Sequence, residues 1–151
     1  PTSRALSDAR GVFVTVTLDE RDIGRAGFLR ARQSLFATAL EAATAAVFSD
    51  REPTSDPTAE EIRRMRFSLL LPSPLRRMRS ASEFSPETQG ALVRLELHSA
   101  HLLPSEFKPA DRAITPEEAL EQICLKAQLP RRSYTDPLAE LYCFDVVTVD
   151  L

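Results

Sequence analysis

Two glycines around an arginine are the residues of this sequence whose types and spacing most directly suggest chemistry. Gly24 and Gly27 lie three residues apart, with Arg25 between them. This spacing predicts either a tight strand-to-loop turn or an anion-binding loop. In such a loop, backbone N–H groups and the guanidinium would face a carboxylate or phosphate. Both interpretations stay open on the pattern alone.

The histidines and cysteines give weaker signals. His98 and His101 flank a predicted turn and could hold a metal, but no third ligand lies near them in sequence. We therefore favour a solvated or core-edge pair and predict no metal and no cofactor. Cys124 and Cys143 fall on predicted buried positions of a helix and a strand. We expect both thiols to be free and functionally silent.

Asp50 closes the segment Phe48-Ser49-Asp50 at the end of a predicted helix. Its carboxylate could make local backbone hydrogen bonds or take a functional role. Two arginine groups, at 63–66 and 76–79, would make a basic patch if they met in space. Solvated faces are the alternative, because the net charge is −3 and the chain has no tryptophan and two tyrosines. A nucleic-acid partner is not expected.

Composition bounds the class of protein. The chain has 151 residues, 43% hydrophobic and 27% charged, as in an ordinary globular domain. We predict a lead-in segment at 1–10 and a single domain at 11–151. No apolar run approaches the roughly 18 residues of a membrane span, and the two cysteines show no disulfide pattern, so a reducing, cytoplasmic setting is expected. Pro1 is not an initiator, which suggests an excised domain.

Two main helices are predicted. Ser34–Phe48 carries an apolar stripe at helical spacings of three and four. We expect this stripe to be buried against a sheet formed by residues 12–18 and 141–149. Thr115 begins the second helix with Pro116 and Glu118, a capping-box pattern. The first stripe consists of Leu35, Phe36, Ala39, Leu40, Ala43 and Val47.

Strand patterns surround these helices. Residues 12–18 are β-branched with one apolar face, 67–71 form a compact apolar run, and 91–97 alternate. Residues 19–22 predict a charged turn, and 23–33 a Gly-containing loop or a second short strand.

Three further segments complete the prediction. Thr58 caps a short helix that reaches about Met65, and residues 76–89 form a polar excursion. Residues 98–100 turn, and a short strand at 101–103 returns before Pro104. The predicted fold is α+β, a mixed or mostly antiparallel sheet packed by two main helices with a small peripheral subdomain.

Six stretches of the chain, at 11–15, 45–50, 68–75, 102–104, 118–130 and 141–144, resemble in this order the AMMECR-type domain family. One is Glu118-Ala119-Leu120-Glu121-Gln122-Ile123-Cys124-Leu125-Lys126-Ala127-Gln128-Leu129-Pro130, which is similar to a Glu-Glu-Phe-Leu-x-x-Leu-Cys-x-Lys-Ala-Gly-Leu-Pro helix. Another is Ala45 to Asp50, similar to an alanine-rich helix that ends in Phe-Ser-Asp.

The departures from this family fall on its signature loop. The family reads Arg-Gly-Cys-Ile-Gly where this chain has Ile23-Gly24-Arg25-Ala26-Gly27, and Ser105 replaces a glutamine. A mechanism that uses the loop cysteine as nucleophile cannot operate here by that route. The matching stretches imply a ligand-binding site that the fold gathers, with these residues: Gly24, Arg25, Gly27, Ser49, Asp50, His101, Pro104 and Ser105.

Two functions follow as expectations. The first is an accessory module that binds a small anionic ligand or a partner protein, and loss of the cysteine favours it. The resemblance implies Memo-type and radical-SAM proteins as companions. The second is an enzyme that acts on a small anionic metabolite in a pathway with those proteins, with Arg25, Asp50 and His101 lining a cleft.

Overall fold

The computed structural model describes residues 10–30, 33–48 and 56–151. It divides into two compact units, one formed by the residues up to Pro72 with Val147–Leu151 and the other by Ser73–Val146. The strands are β1 (Val12–Leu18), β2 (Arg21–Phe28), β3 (Met65–Pro72), β4 (Arg76–Met78), β5 (Gln89–Leu95), β6 (His98–Leu102) and β7 (Glu140–Asp150). The described α-helices are α1 (Leu35–Phe48), α2 (Ala59–Arg64) and α3 (Pro116–Lys126). The fold is α+β with antiparallel strand pairs, as predicted.

The first unit begins with the β1–β2 hairpin. Asp19 and Glu20 form a two-residue turn with φ of 50° and 65°, the left-handed geometry that matches the twist of a hairpin. This confirms the charged turn for residues 19 and 20, whereas Arg21 and Asp22 belong to β2. Residues 23–33 were predicted as either a Gly-containing loop or a second short strand. The strand is correct for residues 23–28, because Gly24 and Gly27 pair with Val16 and Phe13 on β1.

Helix α1 covers β1 and β2 with its smallest residues. The core there joins Val14 and Val16 of β1 to Ala42 and Ala46 of α1 and to Met65. Strand β3 continues the sheet beyond β1, with Leu69 opposite Val14 and Phe67 opposite Val16. The end of β7 follows β3, where Leu151 donates a 3.0 Å N–H bond to the Phe67 carbonyl.

The predicted phase of α1 is wrong for Phe36 and Leu40, although Leu35 is buried as predicted and Ala43 and Val47 pack partly buried against the core. Phe36 and Leu40 are 65% and 60% exposed. The buried positions also recur at spacings of three and four. At about 100° per residue, the centre of the buried stripe lies roughly a quarter turn around the helix from the centre of the predicted stripe. Alanines there let the helix approach the sheet closely, so the large apolar residues face sideways. The buried residues are Leu35, Thr38, Ala42 and Ala46.

Helix α3 organises the second unit. The Thr115 hydroxyl accepts the Glu118 N–H at 3.1 Å, and the Glu118 carboxylate accepts the Thr115 N–H at 2.9 Å, which confirms the predicted capping box. Leu120, Ile123 and Cys124 of this helix are fully buried against the strands. The capping box predicted at Thr58 is also present, and it begins α2.

The strands of the second unit run in the order β4, β7, β5, β6, and here two predictions need correction. The turn between β5 and β6 lies at residues 96–97, with Glu96 at φ 55°, so 98–100 belong to a strand and not to a turn. The polar segment 76–89 contains β4, which pairs with β7, as well as one 3-10 turn at Ala81–Glu83. Strand β4 and residues 98–100 of β6 were not predicted as strand, because short polar runs lack the alternation on which the prediction depended.

Candidate functional site

The predicted glycine loop is part of strand β2. A Cβ on Gly27, where φ is +157°, would lie 2.2 Å from the Val12 carbonyl oxygen and 2.4 Å from the Phe13 Cα, so a side chain has no room there. The glycine therefore serves close backbone pairing of β1 and β2. This geometry does not form the anion-binding loop that the spacing allowed.

Arg25 projects from β2 directly opposite Thr15 on β1. Its Nε donates a 3.0 Å hydrogen bond to the Thr15 hydroxyl, and Thr15 is buried whereas Arg25 is half-buried. The guanidinium is thus oriented by a cross-strand partner. Ser49 and Asp50, its predicted neighbours, lie outside the described residues.

His101, Pro104 and Ser105 belong to the second unit, whereas Gly24, Arg25 and Gly27 belong to the first. The Lys126 ammonium donates a 2.8 Å hydrogen bond to the His101 carbonyl. Burial lowers the pKa of His101, and the charge of Lys126 adds to this effect while Glu106 opposes it. The ring is therefore neutral at pH 7. The expectation that the fold gathers both sets of residues into one site stays a prediction.

Both cysteines are free and fully buried, as predicted. Burial raises the pKa of each thiol, which keeps it protonated at neutral pH. The Nδ1 of His98 lies 3.2 Å from the Ala127 carbonyl at the end of α3. Within the described ranges, no cluster of three or more His, Cys, Asp or Glu side chains has the geometry to hold a metal ion.

An apolar groove, which was not predicted from the sequence, runs beside α1. Its volume is about 350 Å³, and Phe36 and Leu40 form its helical wall. Phe67, Leu69 and Leu151 form the opposite wall on β3 and at the end of β7. The signal in the sequence was the stripe itself, which holds more large apolar residues than the sheet buries.

A second groove of about 250 Å³ shares Ala43 and Phe67 with the first. It extends toward the end of α1 and is lined further by Val47, Phe48 and Ile62. From Phe36 to Val47 the helix rises about 17 Å, or three turns. These two grooves together form the α1 groove, which belongs wholly to the first unit.

Comparison with known proteins places this architecture in a family. The AMMECR1 family model matches residues 1–149. The chain belongs to the AMMECR1 family. The predicted resemblance is thereby confirmed.

Two archaeal relatives have similar sequences. Protein MK0488 of Methanopyrus kandleri is 30% identical over 153 residues, covering 96% of this chain and 73% of its own length. Protein PAE0745 of Pyrobaculum aerophilum is also 30% identical over 152 residues, covering 94% of this chain and 70% of its own length.

A solved structure shows the same fold. The uncharacterised protein PH0010 of Pyrococcus horikoshii superposes with a TM-score of 0.82 at 22% identity, covering 99% of this chain and 78% of its own. Within the described part of this AMMECR1-family chain, no helix is both long and apolar enough to cross a bilayer.

Proposed function

We propose that this AMMECR1-family domain is an accessory module that binds a partner protein through the α1 groove. The observation that carries the proposal is the exposure of Phe36 and Leu40, 65% and 60%, beside an apolar groove of about 350 Å³. Large apolar side chains that line a groove mark an interaction site far more often than scattered single ones do. Partner binding would bury them.

The shape of the groove suits an amphipathic helix from the partner. Helix α1 forms one wall, and the strand surface beside it, at Phe67 and Leu69, forms the other. A helix laid beside α1 would present residues at spacings of three, four and seven to this groove, the common mode of helix-in-groove recognition. Because the α1 groove extends along three turns of α1, a partner helix would contact it over about 11 residues.

The free energy available is sufficient for specific binding. Full burial of one Leu or Phe side chain contributes about 1.5–3 kcal/mol. Phe36, Leu40 and Leu151 together could therefore anchor a complex after the entropic cost of association has been met. The family resemblance suggests Memo-type and radical-SAM proteins as the first partners to test.

Binding rather than covalent catalysis is also supported by the cysteines. Cys124 and Cys143 are fully buried with raised pKa values, so neither thiol is a ready nucleophile. Their free state supports a reducing, cytoplasmic location. The predicted role of Arg25 toward an anionic ligand is retained as part of this proposal, and an enzyme acting on a small anionic metabolite is the alternative.

The test measures binding of purified Memo-type and radical-SAM proteins by isothermal titration calorimetry. Leu40→Glu places a charge in the groove and is expected to raise Kd at least about tenfold, because a buried unpaired charge is costly. Leu97→Glu is the matched control, since Leu97 is fully exposed at the β5–β6 turn. Equal affinity for the wild type and Leu40→Glu would exclude the α1 groove as the interface.

A further inference from the structure

A polar cavity in the second unit has about twice the volume of the first groove beside α1, the one lined by Phe36 and Leu40. It measures about 690 Å³, within the range of small-molecule and peptide sites. Its floor is apolar and buried, formed by Met78, Ala81 and Leu141. Its charged walls come from three separate segments. They carry Arg77, Arg79, Glu117 and Asp136.

The positive wall lies on β4 and the turn that follows it. Arg77 is already paired, since its Nη1 lies 3.1 Å from the Glu140 carboxylate. Arg79 is exposed, and within the described residues its guanidinium makes no ion pair. The Glu83 carboxylate fixes the backbone that carries it by accepting the N–H groups of Arg79 and Ser80. Arg79 therefore stands on a fixed backbone, and its guanidinium, which interacts electrostatically with the Glu83 carboxylate, belongs to a residue of the cavity lining that can meet an anionic group.

The negative wall is also held in place. Asp136 follows the 3-10 turn at Ser133–Thr135, and its carboxylate accepts the Leu138 N–H at 2.8 Å, while Thr135 donates its hydroxyl to the Arg132 carbonyl at 2.7 Å. Glu117 lies in the first turn of α3, whose start is fixed by the Thr115 capping box. Both acidic residues thus line the cavity from hydrogen-bonded backbone, and a pre-organised wall reduces the ordering cost of binding.

We infer that this cavity binds a dipolar ligand that carries an organic cation and a carboxylate on an apolar body. The cation, a guanidinium or primary ammonium, is recognised by Glu117 and Asp136, and the half-buried ring of Tyr134 in the same lining offers it a π face. The carboxylate is recognised by Arg79. The apolar body lies over Met78 and Leu141. This inference is independent of the proposed α1 groove.

Two kinds of ligand carry these groups. One is a free basic amino acid, and the other is a polypeptide segment with an arginine and an acidic residue. Three probes separate them in ¹⁵N NMR titrations of the full chain at low salt. They are L-arginine, its acetyl-amide derivative that lacks the carboxylate, and a blocked hexapeptide acetyl-Ala-Glu-Ala-Ala-Arg-Ala-amide. We expect saturable shifts at the amides of Arg79, Glu117 and Asp136. Tighter binding of the hexapeptide than of L-arginine assigns a protein segment, and the reverse order assigns a free metabolite.

Charge-neutralising variants test each wall. Glu117→Gln and Asp136→Asn should each lower the affinity for all three probes at least about threefold. Arg79→Gln should also lower the affinity for L-arginine and for the hexapeptide about threefold, but it should leave the affinity for the acetyl-amide unchanged. Arg131→Gln is the matched control, because Arg131 pairs with Glu121 and does not line the cavity. Absence of saturable shifts with every probe, or shifts that all three variants leave unchanged, would overturn the inference.

Discussion

Arg94 donates a 2.6 Å hydrogen bond from its Nε to the Glu140 carboxylate, and the two residues lie directly opposite each other on β5 and β7. Arg77 approaches the same carboxylate from β4 at 3.1 Å, and the Tyr142 hydroxyl donates to it at 3.1 Å. Both guanidinium groups lie within 6 Å of the Tyr142 ring, at 5.4 and 5.9 Å from its centre. One carboxylate thus links three strands.

The first prediction concerns the pH dependence of this network. The hydrogen bond from Arg94 is the main reason that the pKa of Glu140 falls from 4.5 to about 2. Since the folded-state pKa is depressed, the stabilisation is present above pH 4.5 and is lost as the pH falls from 4.5 to about 2. As the pH is lowered through this window, the urea midpoint of unfolding should decline less steeply for Glu140→Gln than for the wild type. Parallel curves for the variant and the wild type would contradict the assigned pKa.

The second prediction separates the two kinds of leucine. Leu120→Ala should lower the free energy of unfolding by about 2–5 kcal/mol, because Leu120 is fully buried and leaves a cavity. Leu40→Ala should change it by less than about 0.5 kcal/mol, since Leu40 is 60% exposed. Urea denaturation measures both. A loss of comparable size for Leu40→Ala would mean that its side chain is covered in solution.

The contrast between these leucines shows what the sequence could predict. Helix periodicity located α1 correctly, but it identifies the most apolar stripe rather than the stripe that another element covers. In α1 the sheet contacts Ala42 and Ala46, whose small size permits close approach. The larger residues remain for the α1 groove. Its far wall at Phe67 and Leu69 depends on long-range strand pairing that no local pattern encodes.

Capping chemistry was predicted more accurately. The boxes at Thr58 and Thr115 are local, so the residues that specify them lie within four positions of each other. The β5–β6 turn was placed two residues too late, because Glu96 adopts a left-handed conformation that favours Gly or Asn and gives no signal in a glutamate. The candidate cavity was missed since its walls come from three separate parts of the chain.

The third prediction tests the close contact at Gly27. Gly27→Ala should lower the free energy of unfolding by about 1–3 kcal/mol or more, because the new methyl would meet backbone atoms of Val12 and Phe13 that cannot rotate away. Thermal and urea unfolding measure the loss. A neutral substitution would show that β2 pairs less closely with β1 than the structure indicates.

The fourth prediction concerns the thiols. Cys124 and Cys143 are fully buried, so a thiol reagent should label neither at an appreciable rate until the protein unfolds. The double variant Cys124→Ala/Cys143→Ala should bind every partner or ligand of the wild type, at reduced stability. Rapid labelling of the native protein, or loss of binding in a folded double variant, would refute the view that both are functionally silent.

The last prediction concerns Arg25, which stands where the family's signature loop carries cysteine. Its Nε hydrogen bond to Thr15 is partly buried and contributes about 0.5–1.5 kcal/mol. Thr15→Val removes that bond and keeps the guanidinium, whereas Arg25→Ala removes both. Both variants should therefore lose at least the stability that this bond contributes in urea denaturation, and only Arg25→Ala changes the charge.

If Arg25 serves an anionic ligand, this pair of variants separates its two roles. With inorganic phosphate as the probe, amide shifts along β2 in ¹⁵N NMR titrations should disappear in Arg25→Ala and persist in Thr15→Val, because only the first variant removes the charge that attracts the anion. Arg21→Ala controls for a general loss of positive charge, since Arg21 lies at the exposed start of the same strand. Unchanged phosphate shifts in Arg25→Ala would leave this arginine with a structural role alone, as the cross-strand partner of Thr15.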